Sequence, residues 1–484
     1  MKKRIEGRLI EKEDLERLLR TGESEFLAVY GRRRVGKTFL ISEFFNEEEI
    51  FFELTGHKDA SVSQQLENFI VAFSKTFEIP HRLATPHKWT AALRMLEEEI
   101  ERRKPRGKIV IFFDELPWLA SRRSGFLQAL DHFWNAWATT RRNVIVVVCG
   151  SAASWMIKKL LHHKGGLHNR VTSKIRLLPF TLAETEAYLY SRNIKLDRKQ
   201  ILELYMALGG VPHYLRQVEK SLSAAQNIER ICFAKDGILV DEFEKLYESL
   251  FDNADAYLAV VRTLSKKRCG LTRNEVINGA KIASGGTATE MLNALEESGF
   301  ISSTIPFGKQ NSDNVYRLID EFSLFHLSWM QAAPKGGAGT NYWMQQTSRP
   351  KWKSWAGFAF AGICQKHVEE IKHGLGISGV STVTSGWYYR PSKAVEKGAQ
   401  IDLLIDRSDS CISLCEMKFS ETEFVITKSY ADNLRHKRQS FQARTRTSKS
   451  LFTVMITTYG VKENSYFVGL VNNQLTADVL YTPT

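Results

Sequence analysis

Residues 31–38 carry two glycines, a lysine and a threonine at a spacing that can bind phosphate. A short apolar run at 26–30 precedes them, and a helical pattern begins at residue 39. Strand, glycine loop and helix is the order that the Walker A motif requires. The glycines let backbone N–H groups surround phosphate oxygens, and the helix N-terminus adds a favourable dipole. The predicted nucleotide-binding residues of this segment are Gly31, Arg32, Arg33, Arg34, Val35, Gly36, Lys37 and Thr38.

Two acids, Asp114 and Glu115, follow a second apolar run at 109–113. A buried parallel strand that ends in acids places them at the ligand-binding edge of a sheet. We expect Lys37 to reach the β- and γ-phosphates, and Thr38 and Asp114 to hold Mg²⁺. Glu115 is the candidate general base for the attacking water. The sequence therefore predicts an ATPase with ATP and Mg²⁺ as cofactors.

A third apolar run, at 143–149, ends in Gly150 and Ser151. A small polar residue at this position can sense the γ-phosphate, which makes Ser151 a candidate nucleotide contact. It can equally be an ordinary strand-to-helix turn.

Five short segments together resemble the AAA+/STAND-type P-loop ATPases that are widespread in archaea and bacteria. They are GRRRVGKT at 31–38, DEL at 114–116, GS at 150–151, LPF at 178–180 and GGVP at 209–212. The resemblance implies a helical lid that reports the nucleotide state through Pro212. It also implies a role for Arg170, either as an arginine finger, in cis or from a neighbouring subunit of a homo-oligomer, or as a structural or substrate-facing residue.

The chain of 484 residues is long enough for several domains. We expect an α/β fold, with a P-loop core and parallel sheet at 1–180 and a helical lid at 181–250. A winged-helix-like domain at 251–330 and a linker at 331–350 follow. The second helix of the middle domain, at 284–299, carries Glu290, Glu296 and Glu297 but no lysine or arginine, which favours a packing or spacer role over DNA reading.

Residues 351–484 form a further α/β pattern with its own candidate site. Glu416 and Lys418 lie two residues apart on one predicted strand, so their side chains share a face. Asp402 lies on the preceding predicted strand. Two carboxylates can bind a divalent cation, and a nearby lysine can orient water. The segment resembles the PD-(D/E)xK nuclease superfamily, which implies a second divalent cation and catalytic roles for all three residues. Members of that superfamily often carry Phe-Glu in the first helix, whereas this chain has Ala361 in place of the glutamate.

Charge favours nucleic acid as a partner, and we separately expect DNA over RNA. The formal net charge is +13. Between 428 and 449 there are seven basic residues and one acid, Asp432; the basic residues are Lys428, Arg435, Lys437, Arg438, Arg444, Arg446 and Lys449. Such a cluster suits a phosphate backbone, although a solvated helix face is the other interpretation.

Composition excludes several classes of protein. No apolar run approaches the ~20 residues that span a bilayer, so we expect no membrane partner. The basic N-terminus lacks an apolar segment, and the six cysteines and the histidines, including His162 and His163, show no zinc-binding spacing. A cytoplasmic location is expected.

Three functions remain open at this point. The chain is an ATP-regulated nuclease, a non-cleaving ATPase switch whose last domain binds nucleic acid or a protein, or a regulator that reads DNA through its middle domain.

Overall fold

The computed structural model describes residues 5–80, 83–161, 169–310, 313–333, 341–391 and 397–483. The chain divides into two compact units. The first comprises residues 1–179, 249–252 and 297–299, and the second comprises residues 180–248, 253–296 and 300–484. The histidine pair at 162–163 and residues 334–340 of the predicted linker lie outside the described residues.

The first unit alternates strands and helices. Its strands are β1 (Glu25–Tyr30), β2 (Ile50–Thr55), β3 (Ile109–Asp114), β4 (Val144–Gly150) and β5 (Ser173–Arg176). Its helices are α1 (Leu9–Arg20), α2 (Lys37–Phe45), α3 (Val62–Thr76), α4 (Trp89–Arg103), α5 (Leu116–Leu119), α6 (Phe126–Ala136) and α7 (Ala153–Met156). The predicted strands β1, β3 and β4 are confirmed, and each is buried along almost its whole length. The sequence analysis did not name β2, whose residues alternate between buried and partly exposed.

The five strands form one sheet in the order β2-β3-β4-β1-β5, and every neighbouring pair is parallel. Because β4 lies between β3 and β1, the segments that follow these three strands meet at one edge of the sheet. This topology brings loop 31–36, Asp114 and Ser151 to the same edge.

Helices cover both faces of this sheet. Leu15 and Leu18 of α1 and Leu40, Ile41 and Phe45 of α2 pack on one face. Apolar residues of α3, α4 and α6 pack on the other face. The predicted α/β architecture with a parallel sheet is therefore confirmed, and burial on both faces explains the near-continuous apolar runs.

The second unit begins with helices: α8 (Leu182–Ser191), α9 (Arg198–Leu208), α10 (Pro212–Leu215), α11 (Ala224–Ile228) and α12 (Glu242–Glu248). The amphipathic patterns at 183–190 and 200–208 lie in α8 and α9, as predicted. Gly209 ends α9 in the left-handed region with φ 67°. Pro212 is the first residue of α10. An N–H at this position has no acceptor within the helix, so proline costs no hydrogen bond there.

The middle segment of this unit contains α13 (Ala254–Ser265), β6 (Leu271–Thr272), α14 (Arg273–Ala280), α15 (Gly286–Glu297), β7 (Ile301–Thr304) and β8 (Val315–Leu318). The three strands form an antiparallel sheet in the order β6-β8-β7. Thr272 caps α14 as predicted, through a capping box with Glu275. The predicted order of two helices and a hairpin is present, and its identification as a winged helix stays a prediction.

The rest of the second unit is mixed α/β. Its helices are α16 (Glu321–Phe325), α17 (Tyr342–Thr347), α18 (Pro350–Lys366), α19 (Val368–Gly374), α20 (Lys428–Thr445) and α21 (Ser465–Leu470). Its strands are β9 (Thr382–Tyr389), β10 (Ala399–Arg407), β11 (Cys411–Lys418), β12 (Phe424–Val425), β13 (Ser450–Thr457), β14 (Val461–Lys462) and β15 (Asn473–Thr476). The main sheet has the order β15-β13-β11-β10-β9, with β10 antiparallel to both neighbours and the pairs β11–β13 and β13–β15 parallel.

One predicted helix is broken. The pattern at 355–371 predicts a single helix, but the structure has α18 and α19 divided at His367, whose φ and ψ are −106° and 40°. The His367 ring explains the break. Its Nδ1–H donates to the Ile363 carbonyl at 2.9 Å, and its Nε2 accepts the Leu182 N–H at the start of α8 at 3.1 Å.

No helix within the described ranges is long and apolar enough to cross a bilayer.

Candidate functional site

The loop after β1 depends on a glycine. Gly31 has φ 146°, and a Cβ atom there would stand 2.1 Å from the Leu177 carbonyl oxygen. Gly36, with φ 94°, precedes α2. Both angles lie in the region that side chains rarely adopt. The glycines of the motif are therefore needed where the chain leaves β1 and where it enters α2.

Lys37 points back into this loop. It is the first residue of α2 and is 6% exposed. Its Nζ donates to the carbonyl oxygens of Gly31 and Arg32, both at 3.0 Å. Phosphate oxygens are stronger acceptors for an ammonium than carbonyl oxygens. The lysine is therefore placed where the expected phosphates would replace these two acceptors.

Thr38 and Asp114 meet although they are far apart in sequence. The Thr38 hydroxyl donates to Asp114 Oδ2 at 2.7 Å. The other carboxylate oxygen, Oδ1, accepts the Glu115 N–H at 2.9 Å. Mg²⁺ prefers hard oxygen ligands, so this pair fits the expected ion.

Glu115 contacts Ser151. Its Oε2 accepts the Ser151 hydroxyl at 2.9 Å and the Ser151 N–H at 3.3 Å. Ser151 is 5% exposed. The sequence analysis placed both residues at ends of strands but did not predict this bond. The sequence could have indicated this bond, because β3 and β4 were both predicted as buried strands of the same sheet.

Arg8 was missed by the sequence analysis. It is 5% exposed, and its Nη2 donates to the Val35 carbonyl at 3.1 Å. It also forms an ion pair with Glu11 at 3.4 Å. Because the two bonded residues lie 27 positions apart, no local pattern could reveal that this arginine holds the loop.

Two further predicted nucleotide contacts are not tested by these bonds. Arg170 is exposed in a turn before β5. Pro212 belongs to the second unit. Their roles stay predictions.

The three residues of the nuclease-like site lie on neighbouring strands. β10 and β11 are antiparallel with Leu403 opposite Cys415, so Asp402 and Glu416 each lie one residue beyond the paired segment, where β10 also shifts register against β9. Glu416 is 7% exposed. Burial lowers the pKa of Lys418, while Glu416 and Asp402 act in the opposite direction. Lys418 is therefore close enough to both carboxylates for their charges to act on it.

Two residues of α20 complete the surroundings of Glu416. Lys437 forms an ion pair with Glu416 Oε1. The Tyr430 hydroxyl donates to Oε2 at 3.3 Å, and the Lys418 ammonium lies 5.0 Å from the centre of the Tyr430 ring. Burial and the Glu416 charge raise the pKa of Tyr430. The sequence analysis placed Lys437 in the basic cluster; its spacing of seven from Tyr430 on one helix could have shown that the two share a face.

This arrangement limits metal binding. Both Glu416 oxygens are already bonded, and Ala361 supplies no ligand. Across the described ranges, no three His, Cys, Asp or Glu side chains are grouped to hold a metal ion. Each Glu416 oxygen keeps a further lone pair, but the Lys437 ammonium opposes a cation at this carboxylate.

The basic cluster at 428–449 is only partly available. Besides Lys437, three of its seven members have partners: Arg435 with Asp432 at 2.8 Å, Arg444 with the Tyr389 hydroxyl at 2.6 Å, and Lys449 with Asp406 at 2.6 Å. Lys428, Arg438 and Arg446 have none among the described residues. The cluster is therefore partly neutralised by its own surroundings, and three cations remain for an anionic partner.

Residues 7–218 match the model of an ATPase domain found predominantly in Archaea. The chain accordingly contains an ATPase domain of this type, which includes loop 31–38, Asp114–Glu115 and Ser151. The match ends before the nuclease-like residues.

One curated relative spans most of the chain. The uncharacterized protein MJECL04 of Methanocaldococcus jannaschii is 21% identical over 416 residues, which cover 84% of this chain and 86% of that protein. Among solved structures, the Walker-type ATPase PABY2304 of Pyrococcus abyssi is 18% identical with a TM-score of 0.49, and it covers 67% of this chain and 96% of its own. The ORC2 protein of Aeropyrum pernix is 12% identical with a TM-score of 0.43, covering 66% and 93%.

Proposed function

We propose that this protein is an ATP-hydrolysing switch that controls a nuclease-like domain acting on nucleic acid. The observation that carries the first part is the 2.7 Å bond between Thr38 and Asp114, with Glu115 as the next residue. An isolated glycine loop indicates only phosphate binding. A loop threonine bonded to the acid of a second strand is the pair that holds Mg²⁺ in P-loop ATPases.

Each residue has a defined task in this proposal. Lys37 exchanges its two carbonyl acceptors for phosphate oxygens of ATP. Thr38 and Asp114 hold Mg²⁺, which supplies charge stabilisation for phosphoryl transfer. Glu115 orients the attacking water through Oε1, because its Oε2 accepts both the Ser151 hydroxyl and the Ser151 N–H. Hydrogen bonds to a carboxylate make it a weaker base, and we infer from them slow, switch-like hydrolysis.

Substitution of Glu115 tests the ATPase assignment. Glu115→Gln keeps the shape of the side chain but removes the base, so we expect ATP to bind while hydrolysis falls at least ~10²-fold. Glu53→Gln is the matched control, because Glu53 is a half-buried acid on β2 that bonds Ser42 at 3.2 Å. Equal loss in both variants, or no loss in either, would contradict the role of Glu115.

The second part of the proposal concerns residues 351–484. Asp402 and Glu416 follow the same end of the paired segment of β10 and β11, and both charges act on Lys418, which supports a PD-(D/E)xK-like site. The net charge of +13 and the three available cations of α20 support nucleic acid as the partner. DNA is favoured, with the winged-helix-like segment acting as a spacer.

A specific observation favours a second candidate, the non-cleaving switch. Lys437 forms an ion pair with Glu416, and Ala361 lies where a metal-assisting glutamate is expected. In this form the last domain binds nucleic acid or a protein without cutting it.

One assay separates the two candidates. Plasmid and single-stranded DNA are incubated with the protein and Mg²⁺ or Mn²⁺, with and without ATP. Cleavage that is lost in Glu416→Gln and retained in Glu421→Gln, an exposed acid beyond the same strand, supports the nuclease. Binding without cleavage under every condition supports the second candidate, and cleavage that survives Glu416→Gln excludes the proposed site.

A further inference from the structure

A cavity of about 290 Å³ opens within the second unit. Its walls come from residues 264–269, from β8 and α16, from α18, and from Gln400 and Asp402 at the start of β10. Most of the lining is apolar, with Leu264, Trp355 and Ile363 among its members. The volume is close to the lower end of the range for small-molecule sites.

The cavity exists because α18 presents small residues to it. Ala361 and Gly362 both line it, and a Cβ atom at Gly362 would meet nothing within 4 Å. A glycine inside a helix lowers the stability of that helix. The atoms that line an unfilled volume also lose van der Waals contacts. A larger side chain at either position would fill the space.

Arg317 brings a charge into this apolar space. It extends from β8, where its Nε donates to the Cys269 carbonyl at 3.2 Å and its Nη1 donates to Gln365 Oε1 at 3.0 Å. Both partners are neutral. A guanidinium has five N–H donors, and Nη2 has no hydrogen-bond partner in the described part of the chain.

A second guanidinium lines the cavity. Arg268 lies over the Phe358 ring at 3.9 Å, and that ring is 53% exposed. Within the described ranges, Arg268 forms no ion pair. The stacked pair offers a flat surface with a positive charge.

The remaining charges of the lining are mostly balanced. Lys267 pairs with Glu275, and Glu321 pairs with Lys366, each at 2.7 Å. Asp402 is the one lining acid without an ion pair among the described residues. Two guanidinium groups against one carboxylate leave the cavity positive.

We propose that this cavity binds a small organic anion in which a carboxylate or a phosphate is attached to a flat apolar ring. Arg317 receives the anion, since a guanidinium pairs with either group through two N–H donors. The ring lies against the apolar wall of α18 and the Arg268–Phe358 pair. The proposal does not depend on whether the neighbouring nuclease-like site cuts nucleic acid.

Two pairs of probes test it by calorimetry on the full chain, with saturating ADP to occupy the P-loop. Indole-3-carboxylate is compared with indole, and phenyl phosphate with phenol. We expect at least one charged probe to bind at least ~10-fold more tightly than its uncharged partner, and the better of the two identifies carboxylate or phosphate as the anion.

Three variants locate the binding. Arg317→Met removes the charge and Ala361→Leu fills the space, and each is expected to weaken the charged probe at least ~10-fold. Lys353→Met, on an exposed position of α18, is the control and should leave binding unchanged. Thermal melting checks each fold, and Ala361→Leu keeps the test decisive if Arg317→Met does not fold. Equal binding of charged and uncharged probes, absence of binding, or binding unaffected by Ala361→Leu would overturn the proposal.

Discussion

At the scale of single residues, the charge that faces Glu416 decides what the nuclease-like site can do. Lys437 pairs with one of its oxygens and Tyr430 donates to the other. A carboxylate has about four lone-pair sites, so these two bonds leave room for a cation, but the positive charge of Lys437 opposes its binding. Lys437 and Tyr430 therefore compete for Glu416 with the metal ion that the site is expected to bind.

Removing this competitor should expose the carboxylate. In Lys437→Met we expect Mn²⁺ to bind about 10-fold more tightly than in the parent protein, because a cation is removed from the immediate surroundings of Glu416. Calorimetric titration without nucleotide measures the change. Lys428→Met, on the same helix but without a partner, serves as the control, and Asp402→Asn in the Lys437→Met background should abolish the gain. Unchanged Mn²⁺ affinity in Lys437→Met would show that the pair does not block this site.

At the scale of elements, the turn between α9 and α10 depends on glycine. Gly210 has φ 66°, and a Cβ atom there would stand 2.2 Å from the Phe180 carbonyl oxygen. The Gly210 carbonyl in turn accepts the Phe180 N–H at 2.8 Å. The GGVP motif therefore has a structural task, whatever Pro212 does for the nucleotide.

A pair of glycine substitutions tests this account. Gly210→Ala should lower the free energy of unfolding by roughly 2–4 kcal/mol, since it adds a positive φ and a clash with backbone. Gly357→Ala, inside α18 with nothing within 4 Å of the added atom, should raise it by about 1 kcal/mol. Denaturant unfolding measures both. Similar effects of the two substitutions would mean that the turn is not constrained as described.

At the scale of the whole molecule, buried histidines make stability depend on pH. Burial lowers the pKa of His367 to about 4. The unfolded chain, with a histidine pKa near 6.5, therefore binds this proton first as the pH falls. The contribution of the neutral ring to stability is present above pH 6.5 and is lost between about 6.5 and 4.

We expect acid to weaken the second unit over this range by up to about 3 kcal/mol from His367 alone. Unfolding measured in steps from pH 7 to 4 gives the slope. His367→Gln should flatten it, while His373→Gln, an exposed histidine on α19, should not. A slope that persists in His367→Gln would assign the effect to other groups, of which His326, with its pKa lowered to about 4 by burial, is one.

A further prediction at this scale concerns the net positive charge of the protein. Only Lys428, Arg438 and Arg446 of the basic cluster lack partners among the described residues. Replacing all three by alanine should reduce the slope of log affinity for duplex DNA against log salt concentration by up to about 3. The matched control replaces Arg20, Arg102 and Lys245, three exposed cations elsewhere in the chain, and should leave the slope unchanged. Equal changes in both variants would mean that net charge alone, and not α20, carries binding.

The sequence by itself determined the phosphate loop, the acids Asp114–Glu115, and the strands β1, β3 and β4. Each is encoded by neighbouring residues: apolar runs specify buried strands, and glycines at fixed spacing specify the loop. It also placed Asp402, Glu416 and Lys418 on adjacent strands, because alternation along a strand is a local property.

Only the tertiary structure decided which distant groups meet these residues. The bonds from Ser151 to Glu115, from Arg8 to Val35, from Lys437 to Glu416 and from Leu182 to His367 each join positions that no periodicity relates. The physical reason is that hydrogen bonds and ion pairs act over a few ångströms, so they depend on how elements pack and not on where residues stand along the chain.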